Sequence, residues 1–471
     1  MASFAPFRHL LALLLSVTAV ARAGVAQTAE SQTAESQTAA TPRGDRAGEP
    51  QRAESITRHG ITWRFDVPHV VGTFANGDPW VVGPARVIAI EPKCVEQNGR
   101  VVHGSMIDPD PATLLQGYDS AMYGDRERER YRAERNVALG VSPTSPLRLA
   151  PQQSLVSVRS RPDPLQAPTL QTAAVLTCVA LPPPPDAFRP PYVRGDKTVR
   201  HRVVDLDRTV LQRLAPLPSV PPIDGVARAF ERVWLDHAPS SEVRWLHPFE
   251  NLPTEARELA ALVGSAGLLL NVDLPFAQKE ELLLRFVQLG IDLHGCLRGG
   301  CRWPGDGAHG GGRKLPILFA GRLLGDASML AIGREFGTTT PDPEAGRSGQ
   351  WFAEDGQTFV VMQTSPGVWN RGHGGYRQEH DGLAEWGRAH VDHPEQDRAA
   401  WRGDPDRVCC SANGWVGAAL TARVMGLQEA WAHAPFFAYM DRYLQAPHAE
   451  PWQRAWVGWH AAMWDAYRAN Y

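Results

Sequence analysis

Three glycine-rich strings in the second half of the chain carry residue types suited to acid–base chemistry on an anionic substrate. The first is Gly307-Ala308-His309-Gly310-Gly311-Gly312-Arg313-Lys314, followed by a helical pattern from Leu315. Successive glycines permit positive φ and close backbone approach, and a helix start offers free N–H groups to an anion. With Arg313 and Lys314 beside His309, the string reads as a carboxylate-binding or catalytic loop; the plainer alternative is a surface turn with solvated charges. A phosphate-binding loop is excluded, because Arg313 and Lys314 stand where that motif requires Lys and then Ser or Thr.

The second string, Trp369-Asn370-Arg371-Gly372-His373-Gly374-Gly375-Tyr376-Arg377, places Arg, His and Tyr among glycines that leave them uncrowded. A Tyr beside Arg or protonated His acquires a lowered pKa and can serve as base or acid. The competing reading is a turn whose Tyr packs on the core. The third, Cys409-Cys410-Ser411-Ala412-Asn413-Gly414-Trp415, opens another helical pattern, so Asn413 is either a helix cap or an amide donor to a substrate carboxylate. Trp245-Leu246-His247-Pro248-Phe249-Glu250-Asn251 sets polar groups beside aromatics and is expected to line the same cleft. The candidates are therefore His309, Tyr376, Arg371 and Asn413 for catalysis. For substrate binding they are Arg313, Lys314, His373, Arg377, Trp245, His247, Asn251, Trp303 and Trp415.

Other chemistries have weaker support. His373, His380, His390 and His393 show no His-Glu-x-x-His pattern, so no metal site is assigned, and a divalent cation such as calcium is left open. Asp306, Asp326, Glu379 and Asp381 could supply a pair of carboxyl groups for glycoside hydrolysis, yet no pair stands out. No Gly-x-Ser-x-Gly string is present, which argues against a lipase-type serine.

These strings need elements to position them. Beyond Ile223 the apolar period is helical: Leu259, Leu262, Val263, Ala266 and Leu269 form one stripe, and Leu282, Leu283, Phe286 and Leu289 a second. Ile317, Ala320, Gly321 and Leu324 form a third, Trp415, Ala418, Ala419 and Ala422 a fourth, and Trp452, Trp456, Trp459 and Met463 a fifth. Weaker helical patterns cover 226–237, 326–336, 381–391 and 428–444, with no convincing strand among them. Helices joined by glycine-rich loops suggest an α/α toroid, whose sites lie in the loops between inner and outer helices; a simple bundle is the alternative. Upstream the period is two. Ile61, Trp63 and Phe65 alternate with Thr62 and Arg64, and further strands are expected at 80–82, 87–90, 155–158 and 175–181, with turns at Asn76-Gly77-Asp78 and Asn98-Gly99. Proline clusters at 182–185, 190–191 and 216–222 end this part. The expected organisation is α+β: a β-rich domain at 56–215, then a mostly helical toroid at 223–471.

Before these comes an export signal: Arg8 and His9, an apolar run from Leu10 to Val20, and the small-residue exit Ala21-Arg22-Ala23. The run is far shorter than the roughly 20 apolar residues of a membrane span. Residues 1–23 are thus expected to be a signal peptide and 24–55 a disordered leader, with Gln27-Thr28-Ala29-Glu30-Ser31 repeated as Gln32-Thr33-Ala34-Glu35-Ser36. A secreted or periplasmic protein is expected, with no membrane attachment once the signal is removed. The net charge of −3 argues against a nucleic-acid partner, and oligomeric state is not legible. The 15 Trp exceed the 9 Tyr, and exposed indoles give flat faces for sugar rings. Six cysteines in an exported chain suggest disulfides: Cys94 and Cys178 are placed to join two strands, and Cys296 and Cys301 to bracket a loop.

The string from His309 to Gly321, the turn Phe74-Ala75-Asn76-Gly77-Asp78-Pro79-Trp80-Val81-Val82-Gly83, and Cys409-Cys410-Ser411-Ala412-Asn413 resemble exported bacterial helical-toroid polysaccharide lyases, such as polysaccharide lyase family 38. The similar stretches run from about residue 60 to 445. The resemblance implies β-elimination on a uronic-acid polymer such as alginate or glucuronan, with an anionic polysaccharide as partner and no cofactor. It also implies His309, Tyr376, Arg371 or Arg313, and Asn413 around the sugar carboxylate. In that chemistry a neutralised carboxylate makes the C5 proton acidic, a base removes it, and an acid protonates the departing O4. A glycoside hydrolase on a similar toroid and a non-catalytic glycan-binding protein are the alternatives.

Overall fold

The computed structural model describes residues 50–121, 130–163, 169–237, 247–253, 256–305, 310–337, 351–369, 376–387, 411–445 and 457–471. Residues 45–471 form one compact unit. It has mixed α and β content, with a curled sheet first and helices after it. The first strand, Gln51–Arg58, begins inside the stretch expected to be a disordered leader, because it has a partner across the Gly60 turn.

The main sheet contains β1 (Gln51–Arg58), β2 (Ile61–Thr73), β3 (Pro79–Val82), β4 (Ala85–Glu91), β7 (Ser105–Ile107), β8 (Leu147–Leu149), β9 (Gln153–Ser160) and β10 (Leu170–Val179), in the order β7-β9-β10-β3-β2-β4-β8 with β1 on β2. A separate hairpin, β5 (Val95–Gln97) and β6 (Arg100–Val102), turns at Asn98-Gly99, both with positive φ. The sheet curls until Trp63 Nε1 on β2 donates to Ser157 Oγ on β9 at 3.0 Å.

Alternation of side chains along β9 and β10 gives this sheet two buried faces. Leu155, Ala174 and Leu176 point into a core made with Trp63, Phe65 and Val81. Val156, Val158, Ala173 and Val175 point the other way and share a core with the helices. The proline-rich end of the part expected to be a β-rich domain packs on the helices: Phe188, Tyr192 and Val193 belong to the helical core. Arg189 in that segment bridges Asp78, at 2.7 Å, and Asp292, at 2.6 Å.

The helices are α1 (Ile223–Ala229), α2 (Ala256–Asn271), α3 (Phe276–Arg298), α4 (Lys314–Leu324), α5 (Ala327–Leu330), α6 (Ile332–Glu335), α7 (Ala353–Gln357), α8 (Ala412–Val424), α9 (Gln428–Trp431), α10 (Ala434–Gln445) and α11 (Gly458–Tyr467). The first four apolar stripes fall on α2, α3, α4 and α8, and the end of the fifth on α11. At 381–391 a helix was expected, but β14 (Ala384–Trp386) pairs there with β11 (Thr358–Val360), and β12 (Gln363–Ser365) pairs with β13 (Val368–Trp369). Strands of two or three residues are too short to imprint a period of two on the sequence.

Cys94, Cys178, Cys296 and Cys301 are buried free thiols, so the disulfides expected among them are not formed. Each sulfur meets a different neighbour: Asn136 Nδ2 for Cys94, Leu149 O for Cys178, Tyr192 Oη for Cys296 and Asp236 O for Cys301. Cys409 and Cys410 lie outside the described residues. Among the described residues, no helix is long and apolar enough to cross a membrane, and no group of three or more His, Cys, Asp or Glu is placed to hold a metal ion.

Candidate functional site

The glycine turn enters α4 between two acidic partners. Gly312 has φ +88°, and a Cβ there would stand 2.9 Å from Ala260 Cα on α2, so both its conformation and its space require glycine. Arg313 is 1 % exposed; its Nε and Nη2 each donate to Asp236 at 3.2 Å, and Nη1 donates to Gly311 O at 2.7 Å. Lys314 is fully buried, pairs with Asp355, and donates to Trp431 O at 2.6 Å. The anion expected at this helix start is supplied from within: Glu354 Oε1 accepts the Gly312 N–H at 2.6 Å. Glu354 and Asp355 lie on α7, and Asp236 lies in the turn after α1.

Arg313 and Lys314 are therefore not available to neutralise a substrate carboxylate, because their charges are spent on buried acids. The same holds for other expected contacts. His247 is fully buried, with Nε2 at 3.3 Å from Asp236 Oδ1. Trp303 stacks on Phe352 at 6.0 Å and Trp415 packs edge-on to Phe436; both are buried, so neither offers a face to a sugar ring. Asn251 is half-buried and donates to Ala229 O at 2.9 Å, whereas Arg377 is exposed. Among the acids, Asp326 caps α5 by accepting from Ser328 N and Met329 N, and Glu379 is exposed.

Two expected catalytic residues are described. Asn413 is fully buried in the first turn of α8, and its Oδ1 accepts from Tyr443 Oη on α10 at 3.3 Å. Tyr376 is 8 % exposed and lies edge-on to Phe359 on β11 at 6.0 Å and to His380 at 5.8 Å. A chain of contacts joins the three strings. A Cβ on Gly311 would stand 2.9 Å from Trp415 Nε1, two residues beyond Asn413. Gly312 is bonded to Glu354, Thr358 Oγ1 donates to Glu354 O at 2.6 Å, and the next residue, Phe359, touches Tyr376. His309, Arg371, His373 and Trp245 lie outside the described residues.

Charge around the turn is polarised. Burial would raise Asp236, but Arg313 and then His247 outweigh it and hold its pKa at about 2. Burial raises Glu354 to about 7, and the Gly312 N–H opposes this only in part. Glu354 Oε2 and His247 Nδ1 are buried without a hydrogen-bond partner among the described residues. A carboxyl that titrates near neutrality can both give and take a proton. Sequence reading missed Glu354, Asp355 and Asp236; Phe352-Ala353-Glu354-Asp355-Gly356 is a short acidic string without glycine-flanked His or Arg, and only packing reveals its burial. Comparison of the chain with protein-family models, with curated proteins and with solved structures finds no match.

Proposed function

We propose that the chain is an exported polysaccharide lyase that cleaves a uronic-acid-containing polysaccharide, alginate- or glucuronan-like, by β-elimination on helices arranged as an α/α toroid. The observation that carries this reading is the contact chain Asn413–Trp415, Gly311–Gly312, Glu354, Phe359 and Tyr376, which ties the three glycine-rich strings to one wall. In this reading Arg371 neutralises the sugar carboxylate, Asn413, buried against Tyr443, supports that wall from behind, Tyr376 takes the C5 proton or protonates O4, and His309 assists it. The C5–H electron pair becomes the C4=C5 double bond as the C4–O4 bond breaks, and O4 leaves with a proton, so no water is consumed. Arg313 and Lys314 hold the turn and do not touch the substrate.

Tyr376→Phe tests this reading. Ultraviolet absorbance of the unsaturated product, measured across a panel of uronate polymers, is expected to fall by about 100-fold or more while the fold is retained. Full activity in that variant removes Tyr376 from the reaction. One observation favours a second reading: a carboxyl at about 7, as on Glu354, suits the general acid of a glycoside hydrolase. Chain cleavage without a double bond in the product, lost in Glu354→Gln, would select it.

A further inference from the structure

The proline-rich segment 188–201 crosses the end of α3 so closely that a Cβ on Gly295 would stand 2.3 Å from Pro191 Cβ. Between this segment, the end of α3 and the start of α5 lies a groove of about 280 Å³. None of its lining residues belongs to the glycine turn. Phe188, Val193, Ile291 and Met329 form its apolar floor, each at most 4 % exposed. The arginines around it are all cancelled. Arg194 pairs with Asp110 at 3.1 Å, Arg200 with Asp196 at 2.6 Å and Arg298 with Glu335 at 2.5 Å, while Arg189 is held by Asp78 and Asp292.

Two imidazoles line the groove, and each has one ring nitrogen committed. His294 Nε2 accepts from Arg298 Nε at 3.2 Å; a guanidinium keeps its protons, so the proton of the His294 ring is on Nδ1. Burial first, then Arg298, lower this ring to about 4, which keeps it neutral near pH 7. His201 Nε2 lies 3.3 Å from Asp326 Oδ2. His201 first, then Ser328 and the Met329 N–H, outweigh burial and hold Asp326 well below the ordinary carboxylate range, so it stays an acceptor and His201 Nε2 donates to it. In its neutral form His201 then has Nδ1 as an acceptor. Among the described residues neither Nδ1 has a hydrogen-bond partner. One donor and one acceptor face a ligand above an apolar floor.

These features fit a neutral pyranose. Such a ring has an apolar C–H face for the floor and hydroxyls around its edge, each able to donate and accept. The volume is just below the roughly 300–1,000 Å³ of ordinary small-molecule sites, which suits a single ring. A charged ligand would add an unmatched charge to a set that is already balanced. We propose that this groove binds one neutral pyranose unit. One ring hydroxyl donates to His201 Nδ1, another accepts from His294 Nδ1–H, and the C–H face lies on Ile291 and Met329. The site is independent of the lyase reading.

Titration calorimetry on the full chain tests the proposal with glucose, galactose, mannose and xylose, and with glucuronate, inorganic sulfate and adenosine for comparison. At least one neutral pyranose is expected to bind saturably, at about millimolar strength. His294→Phe removes the donor, and Thr198→Trp sets a bulky ring on the exposed rim while altering neither imidazole. Each is expected to weaken that binding about fivefold or more, with thermal midpoints unmoved and any cleavage of uronate polymer unchanged in Thr198→Trp. No saturable pyranose binding, unchanged affinity in Thr198→Trp, or glucuronate, sulfate or adenosine bound as tightly as the best pyranose would overturn it. If no polymer yields an unsaturated product but pyranose affinity still falls in the two variants, the lyase reading fails and the groove stands.

Discussion

Two buried arginines organise the molecule and leave different remainders. Arg189 lies between Asp78, from the turn before β3, and Asp292 on α3, and so fastens the sheet to the helices. Burial would raise Asp78, but Arg189 and Arg58 hold it below its ordinary pKa. Neither Arg189 nor its two carboxylates keeps an unpartnered buried atom. Around Arg313 the first pairs are just as complete, yet Glu354 Oε2 and His247 Nδ1 next to them are buried without hydrogen-bond partners among the described residues. The Arg189 clamp leaves a polar atom over as well: His59 Nε2, near enough to Asp78 to help lower it, is buried without a hydrogen-bond partner among the described residues, and burial first, then Arg58, holds that ring at about 3. What sets the Arg313 region apart is a carboxyl raised to near neutrality, Glu354 at about 7.

The largest break should come at the clamp. Arg189→Met leaves Asp78 and Asp292 buried without their cation and is expected to cost about 3–5 kcal/mol, read from urea unfolding. A loss below about 1 kcal/mol would mean that the pair is not the fastening it resembles.

Next is the pH dependence of the glycine turn. The folded state binds a proton on Glu354 more tightly, at about 7, than the ordinary 4.5 of the unfolded chain. Stability from this group therefore falls as pH rises from about 4.5 through about 7 and stays reduced above it. Glu354→Gln should match the parent near pH 4.5 and exceed it at pH 8 by up to about 3 kcal/mol. Parallel stability profiles for the two proteins from acid to alkaline pH would remove Glu354's displaced titration. Asp236 has the opposite sign: with its pKa lowered to about 2, its contribution is present above its ordinary value of 3.8 and is lost as pH falls through about 2.

The smallest effect belongs to the wall that carries Asn413. Tyr443→Phe removes one hydrogen bond to Asn413 Oδ1 and should cost about 1 kcal/mol of stability. In the lyase reading it should also lower turnover of uronate polymer by more than this loss alone predicts. Unchanged turnover would make Tyr443 a packing residue.

Much of the frame was legible in the sequence. Ile61, Trp63 and Phe65 announce β2, and the Leu259 and Leu282 stripes announce α2 and α3, because each buries one periodic face. Asn98-Gly99 announces its hairpin because both residues accept positive φ. The site was legible only in kind. Arg313 and Lys314 do bind carboxylates beside a helix start, but those carboxylates are the protein's own. His247, Trp303 and Trp415 carry suitable groups, yet all are buried.

The sequence by itself determined the periodic elements, their turns and the presence of a cationic glycine-rich turn, since these depend on neighbours within a few residues. Only the tertiary structure decided that the proline-rich segment is part of the core and that Asp236, Glu354 and Asp355 are the partners of the turn. The reason is distance along the chain: 77 residues separate Arg313 from Asp236 and 103 separate Arg189 from Asp292. Whether a charge is neutralised depends on what folds against it, which local pattern does not encode.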